Sequence, residues 1–409
     1  MKFYNIAVYL LLCSALFVQQ ATAINNTTVY GGNWTVDSGI RIFTGVGIGA
    51  PTAIQLQNGS IAIYYSAYGS TSKYGGIVYA LSHNGLNFTP ALGNIFQNNI
   101  CNGKFVSGNP TVFRLVNGTY RIYVDAQSPS AGGQQSQQIC TATSTDGLHF
   151  TDPTVITAPS DPLFNNNTGF TSVPTARLLP NGTILMYYIY NGALFPAPGC
   201  QTHYKAATST DGTHFTLLGC VNFLSGYKNF VDPTFAMLPD NTIMFMAGTF
   251  AQQFSPQGTQ LGIYRAYSIG SLVNFSALQL VIKAPTPINP NWTSGVTDPE
   301  VISLSNGTYR IYYDGATDNG KAMAVYSASW TPIIMQGQVS NVTATIPVNT
   351  STIPVNYTST ITPNNYNASN TNPVVAPKSG FNYELLLGIV VVISVVIVGI
   401  YIYYRRKQK

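Results

Sequence analysis

The chain has 409 residues, with 18 lysines and arginines against 13 aspartates and glutamates, and only 8% of its residues are charged. The net positive charge sits at the ends: leaving out Lys2, Glu384, Arg405, Arg406, Lys407 and Lys409, 13 bases face 12 acids. With no basic stripe or arginine cluster, nucleic acid is excluded as a partner. So low a charge suits acidic surroundings, where carboxylates are protonated and amides and glycans carry solubility; folding is then expected to persist at about pH 2 to 3.

Residues 1–23 begin with Lys2, pass through VYLLLCSALFV and end in Ala21-Thr-Ala23. A basic start, a short apolar run and an A-x-A terminus make a secretory signal peptide. Its removal takes Cys13 and leaves Cys101, Cys140, Cys200 and Cys220. An even number in an oxidising compartment favours two disulfides. Of the three pairings, Cys101 with Cys140 and Cys200 with Cys220 keep each bridge within or beside one repeat unit. No Cys-x-x-Cys spacing occurs, and Gly45-x-Gly47-x-Gly49 lacks the strand-loop-helix setting of a nucleotide loop. Neither metal nor cofactor is expected.

From about residue 24 to 330 one pattern recurs five times. Pro51, Pro110, Pro174, Pro233 and Pro299 follow one another at intervals of 59, 64, 59 and 66 residues. Seven residues after each stands Asn58, Asn117, Asn181, Asp240 or Asn306, and further on Tyr64, Tyr123, Tyr187, Phe245 or Tyr312. Two β-branched and aromatic runs joined by Asn-Gly predict a hairpin with a type I′ turn. A second hairpin follows in LSHNGLNF, TSTDGLHF and TSTDGTHF, and in weaker form in YSIGSLVNF. Each unit is thus a four-stranded antiparallel meander. Five meanders protect their edges best by closing radially, which predicts an all-β, five-bladed β-propeller. The fifth unit lacks its outer strand, and NWTVDSGIRIF (33–43) is expected to supply it. Separate β-sandwich domains are the alternative, for which units of roughly 60 residues are short.

Residues 331–383 lose the periodicity and become a Thr, Asn, Ser and Pro-rich stretch, read as an extended stalk. Residues 384–404 hold an unbroken apolar run from Leu385, long enough to cross a bilayer. The basic tail at 405–409 stays cytoplasmic by the positive-inside rule. The expected location is the plasma membrane, with a single span and the propeller outside. Fifteen Asn-x-Ser/Thr sequons run from Asn25 to Asn367, which implies a glycoprotein; Asn117, Asn181 and Asn306 are hairpin asparagines, where turn chemistry alone produces the motif.

The x-Pro-Thr start, the Asn-Gly hairpin, the Ile-Tyr-Tyr strand and the Ser-x-Asp-Gly-x-x-Phe turn resemble the five-bladed propeller glycosidases, the superfamily of arabinanases, xylosidases, fructosidases and related phosphorylases. The resemblance covers about residues 30 to 330 and rests mostly on scaffold motifs. It implies an acidic residue before the repeat proline in the first three blades, as base, pKa modulator and acid. This chain has Ala50, Asn109 and Val173 there, so the inherited pattern is broken.

A replacement set can be read from the other columns. Asp232 and Asp298 precede the fourth and fifth prolines, and Glu300 stands where the other copies carry Thr52, Thr111, Thr175 and Thr234. Strand alternation puts Glu300 on the face of Asp298. A constant hairpin offset places Asp314 beside Pro299 and Asp125 beside Pro110. Asp232, Asp298 and Glu300 are therefore the catalytic candidates, and Asn109, Asp125 and Asp314 the ligand-binding ones. The competing reading makes Asp232 and Asp298 backbone caps at strand starts. His149 and His214, in successive Asp-Gly-x-His-Phe turns, read as turn residues. The preferred function is binding of carbohydrate or a surface partner without turnover. An active glycoside hydrolase or phosphorylase and a structural envelope component are the alternatives.

Overall fold

In each repeat the first hairpin closes by the same bonds. Leu56 N–H donates to the Ser60 carbonyl at 2.7 Å and Gly59 N–H to the Leu56 carbonyl at 3.0 Å, and Leu115, Leu179, Leu238 and Leu304 do likewise. The asparagine itself has negative φ. Only the next residue is left-handed: Gly59, Gly118, Gly182 and Gly307 at φ 83, 87, 82 and 79°, and Asn241 at 65°. These are three-residue type I turns ending in a left-handed bulge residue, not the type I′ turns expected from Asn-Gly. The asparagine oxygen explains the choice, since it accepts the backbone N–H two residues on, as Asn58 does from Ser60 at 3.0 Å.

The computed structural model describes residues 27–43, 48–67, 76–91, 95–96, 101, 105–127, 138–156, 171–190, 199–226, 230–249, 260–284, 296–317 and 322–337. They form five antiparallel blades. Blade 1 is Ile48–Gln55, Ile61–Ala67, Gly76–Ser82 and Thr89–Pro90. Blade 2 is Phe105–Arg114, Tyr120–Gln127, Gln138–Ser144 and Thr154–Val155. Blade 3 is Thr171–Leu178, Ile184–Tyr190, Tyr204–Ser209 and Thr216–Cys220. Blade 4 is Phe230–Met237, Ile243–Thr249, Gly262–Tyr267 and Gln279–Lys283. Blade 5 is Val296–Ser303, Tyr309–Thr317 and Ala322–Trp330. The first strand of each blade packs on those of both neighbours, and the fifth returns to the first.

The N-terminal segment closes the ring as expected. Thr35–Val36 and Ile42–Phe43 pair with Ala322–Trp330, Asp37 accepts the Ser327 hydroxyl at 2.6 Å, and Trp34 stacks on Trp330. The pairing continues past the expected stalk boundary at 331, because Thr27–Gly31 pairs with Ile333–Gly337. Both expected disulfides are present, Cys101–Cys140 and Cys200–Cys220. The expected signal peptide, the rest of the expected stalk and the expected transmembrane segment lie outside the described residues.

The core is divided into five clusters, one between each pair of neighbouring blades. Each receives alternate side chains of two sheets, and each fully buried aromatic stabilises by about 1.5–3 kcal/mol. The tyrosine column adds a bond. Tyr64, Tyr123, Tyr187 and Tyr312 donate their hydroxyls to the turn of the following blade, at Gly147, Gly212, Leu272 and Gly85. Those turns are fixed from within: Ser144 Oγ accepts Gly147 N–H at 2.9 Å, and Asp146 Oδ1 accepts Leu148 and His149 N–H at 2.8 and 2.9 Å. His149 and His214 close onto Asp146 and Asp211, so both serve their own turns.

Ladder register corrects the fourth member of this column. Thr52, Thr111, Thr175 and Glu300 face Tyr64, Tyr123, Tyr187 and Tyr312, but Thr234 faces Met246, with Phe245 one position earlier. Phe245 points instead into the cluster between blades 3 and 4. Met246 faces blade 5, whose outer strand comes from the N-terminus and offers no such turn carbonyl. Replacing Met246 by tyrosine therefore buries a hydroxyl without that acceptor and costs about 1–3 kcal/mol, whereas Tyr123→Phe costs about 1 kcal/mol. Urea unfolding checks both; a neutral Met246→Tyr would refute the latch.

Candidate functional site

The five innermost strands share one irregularity at the repeat proline, and blade 2 has a second between Val106 and Gly108. The ladder slips between Gly49 and Thr52, Gly108 and Thr111, Ser172 and Thr175, Val231 and Thr234, and Thr297 and Glu300. The residue before each proline is left-handed: Ala50, Asn109, Val173, Asp232 and Asp298 at φ 53, 48, 50, 52 and 48°. None is glycine, and for β-branched Val173 such a φ is a genuine outlier. Each position stores on the order of 1–3 kcal/mol that its surroundings must offset. The bulges bring all five prolines and all five preceding residues to one axial cavity of ≈ 30 Å³, with Thr111, Thr175 and Glu300 also in its wall. A volume of this size takes a water or a hydroxyl group and no sugar ring.

The bulge overturns the constant-offset argument. Asp314 lies opposite Thr297 and Asp125 opposite Gly108, not beside Pro299 and Pro110. The inserted residue shifts each ladder by one position, and from there each acid reaches the adjacent blade. Asp314 Oδ2 accepts Ala50 N–H at 3.1 Å. Both oxygens of Asp125 accept Val173 N–H at 3.1 Å, and Asn109 Nδ2 donates to Asp125 at 2.7 Å. Asp232 accepts the Thr297 hydroxyl at 2.9 Å and the backbone N–H of Asp298. The acids thus hold strained backbone of the following blade in blades 1, 3 and 5.

Asp298 lies between Asp232 and Asp314, near enough to both for their charges to interact. Carboxyl groups that close cannot all ionise. Burial and the adjacent Asp298 charge raise Asp232 well above the usual carboxylate range, and burial and Asp314 do the same to Asp298. Burial lifts Asp314 and Asp125 to about 7, against hydrogen bonds that favour their charged forms. In its neutral form this row presents O–H donors as well as carbonyl acceptors.

Glu300 belongs to a second layer. Its carboxylate pairs with Arg177 Nη2 and accepts the hydroxyls of Thr52 at 2.9 Å and Thr234 at 2.8 Å. Arg177 Nη1 reaches Thr111 Oγ1 at 3.1 Å. The threonine hydroxyls pass bonds onward: Thr52 accepts Val112 N–H, Thr111 accepts Ala176 N–H and Thr234 accepts Val301 N–H. One buried ion pair therefore joins all five blades at the axis. Sequence reasoning missed Arg177, although the signal was present: three residues after their prolines the other copies carry Ile54, Phe113, Ala236 and Ile302.

No protein-family model matches the chain, and no curated protein matches it. Solved structures do. One is a protein solved as an RGII complex, at 13% identity and TM-score 0.51 over 74% of this chain and 92% of that one. Another represents the GH130 family of mannoside phosphorylases, which contains glycoside hydrolases targeting β-1,2-mannosidic linkages in Candida mannan; it has 13% identity and TM-score 0.50 over 73% and 94%. A third is the GH93 α-L-arabinofuranosidase of Fusarium graminearum with arabinobiose, at 12% identity and TM-score 0.49 over 72% and 97%. The chain has the fold of the propeller glycosidases. Identities this low establish the fold alone.

All six sequence candidates therefore meet at one end of the propeller. Asn109, Asp232, Asp298 and Glu300 line the cavity, and Asp125 and Asp314 stand behind it, fully buried. Among the described residues no group of three or more His, Cys, Asp or Glu could hold a metal ion.

Proposed function

We propose that the chain is a membrane-anchored cell-surface glycoprotein whose propeller binds carbohydrate at the mouth of the axial cavity without turnover. The observation that carries the reading is the use made of the acids. Glycoside hydrolysis needs two carboxyl groups set apart across the scissile bond, about 5 Å for retention and 6.5–9.5 Å for inversion. Here Asp125, Asp232 and Asp314 cap the backbone of neighbouring blades, Asp232 and Asp298 crowd each other's charge, and Glu300 is neutralised by Arg177. Neutral carboxyls beside Asn109 suit hydroxyl groups, and the glycosidase-like fold supports sugar as the source of them. The sugar ring would sit above the cavity and insert one hydroxyl.

The test is a glycan array and a glycoside-release assay run together on the full chain in detergent, at pH 4 and pH 7, with Asp298→Asn alongside. Bound glycan without released sugar supports the reading. Release that Asp298→Asn abolishes, in a variant of unchanged melting temperature, would establish the active hydrolase or phosphorylase instead. No bound glycan at either pH, with ordered self-association on the surface, would leave the envelope role.

A further inference from the structure

The five first hairpins all turn at the end of the propeller opposite the cavity, because each first strand starts at the cavity and runs away from it. Four of these turns are sequons: Asn58-Gly-Ser60, Asn117-Gly-Thr119, Asn181-Gly-Thr183 and Asn306-Gly-Thr308. All four asparagines are exposed. In each the side-chain oxygen is spent on the backbone N–H two residues on, at 3.0, 3.1, 3.0 and 3.0 Å. With Oδ1 directed into the turn, Nδ2 projects away from it, and Nδ2 is the atom an N-linked glycan occupies.

The fifth hairpin is a built-in comparison. Asp240 makes the same bond to Thr242 N–H at 3.0 Å with no amide nitrogen to modify. The turn is therefore satisfied by either side chain, and turn chemistry does not by itself explain asparagine in the other four. Asn87 and Asn274, also exposed sequon asparagines, lie in the connections between third and fourth strands of blades 1 and 4, at the same end. Ala322–Trp330 also runs towards this end, and Ile333–Gly337 follows it.

We propose that Asn58, Asn117, Asn181 and Asn306 carry N-linked oligosaccharides, forming a glycan ring at the end of the propeller opposite the cavity. The inference rests on the export reading given under Proposed function. The donor class is a polyprenyl-phosphate-linked oligosaccharide used by an export-compartment transferase. The Nδ2–C1 bond forms, the C1–O bond to phosphate breaks with its electron pair leaving on the phosphate, and one Nδ2 proton passes to the transferase base. The ring covers the end of the blades opposite the cavity, so it shields that end from proteolysis while the hairpin glycans stay clear of the cavity mouth.

Glycopeptide mass mapping of the full chain from its native membrane tests this, and the same digest reads the mature N-terminus. Expected are a start at Ile24, glycan masses on the four hairpin peptides, and none on the peptide holding Asp240. Asn117→Asp preserves the turn bond, as Asp240 shows, so it should remove one glycan mass with no change in melting temperature. Bare hairpins beside modified stalk sequons such as Asn341 and Asn356 would overturn the ring and leave export standing. A retained leader with every sequon bare would overturn both. An unchanged intact mass in Asn117→Asp would remove that member of the ring.

Discussion

Stability of the propeller is expected to peak near pH 4 and to fall as the pH rises towards 8. Asp125 and Asp314 have native pKa values of about 7 against an ordinary 3.8, from burial. Asp232 and Asp298 are raised as well, by burial and then by the carboxyl beside each, Asp298 for the first and Asp314 for the second. Between pH 4 and 7 the native state therefore holds protons that the unfolded chain releases, and stability declines with pH across that window. A native pKa near 7 makes each of Asp125 and Asp314 worth about 4 kcal/mol over the window. His203 opposes this, because burial pushes it down to about 3 and it is kept neutral in the fold, which costs stability as the pH falls below its ordinary 6.5. Four raised carboxyls outweigh one depressed imidazole. Below pH 4 the sign reverses, since His203 still resists charging and the Asp211 carboxylate, held low by the His214 and Thr213 backbone N–H groups, stays ionised where the unfolded chain takes up a proton.

Thermal melts from pH 3 to 8 measure this directly. Asp125→Asn and Asp314→Asn keep a side-chain oxygen for Val173 and Ala50 N–H while removing the titration, so each should flatten the decline above pH 5. A stability that rises from pH 4 to 7, as for ordinary ion-paired carboxylates, would refute the account. An acid optimum also agrees with a surface carrying so few charges.

The second large effect concerns the ion pair at the axis. Removing one partner of a buried salt bridge leaves an uncompensated charge and costs about 3–5 kcal/mol. Both Arg177→Leu and Glu300→Thr should do so, because Arg177 and Glu300 side chains are 16% and 5% exposed. Each substitution also restores the chemistry of its column in the other copies, apolar at the first position and threonine at the second. The double variant should therefore lose far less than the sum of the singles, with a coupling of up to about 3 kcal/mol. Urea unfolding of the four proteins closes the cycle, and additive losses would remove the pair from its joining role. The same arrangement makes Glu300→Gln a poor test of catalysis, since lost activity and a loosened axis would arrive together.

Much of the architecture could be read along the chain. The 59-to-66-residue recurrence of proline, turn and tyrosine implied five blades, and the truncated fifth copy implied closure by residues 33–43. The cysteine pairs followed from which unit each cysteine belongs to. The convergence of Asn109, Asp232, Asp298 and Glu300 was also legible, because homologous positions of a closed ring lie at one height, whereas Asp125 and Asp314 sit in a register that a constant offset misplaced.

What the sequence by itself determined is thus periodic: which residues repeat, how often, and where a copy departs from the others. Only the tertiary structure decided what those departures do. The inserted residue at each strand start breaks the two-residue alternation, and at Val173 and Ala50 its backbone N–H bonds a carboxyl of the preceding blade, about 50 or 260 residues away along the chain. Glu300 was visible as an exception and Arg177 was overlooked, yet neither has a meaning until the ring brings blades 3 and 5 within bonding distance. A hydrogen bond or a shared proton is a property of two groups in space, and local sequence records only one of them.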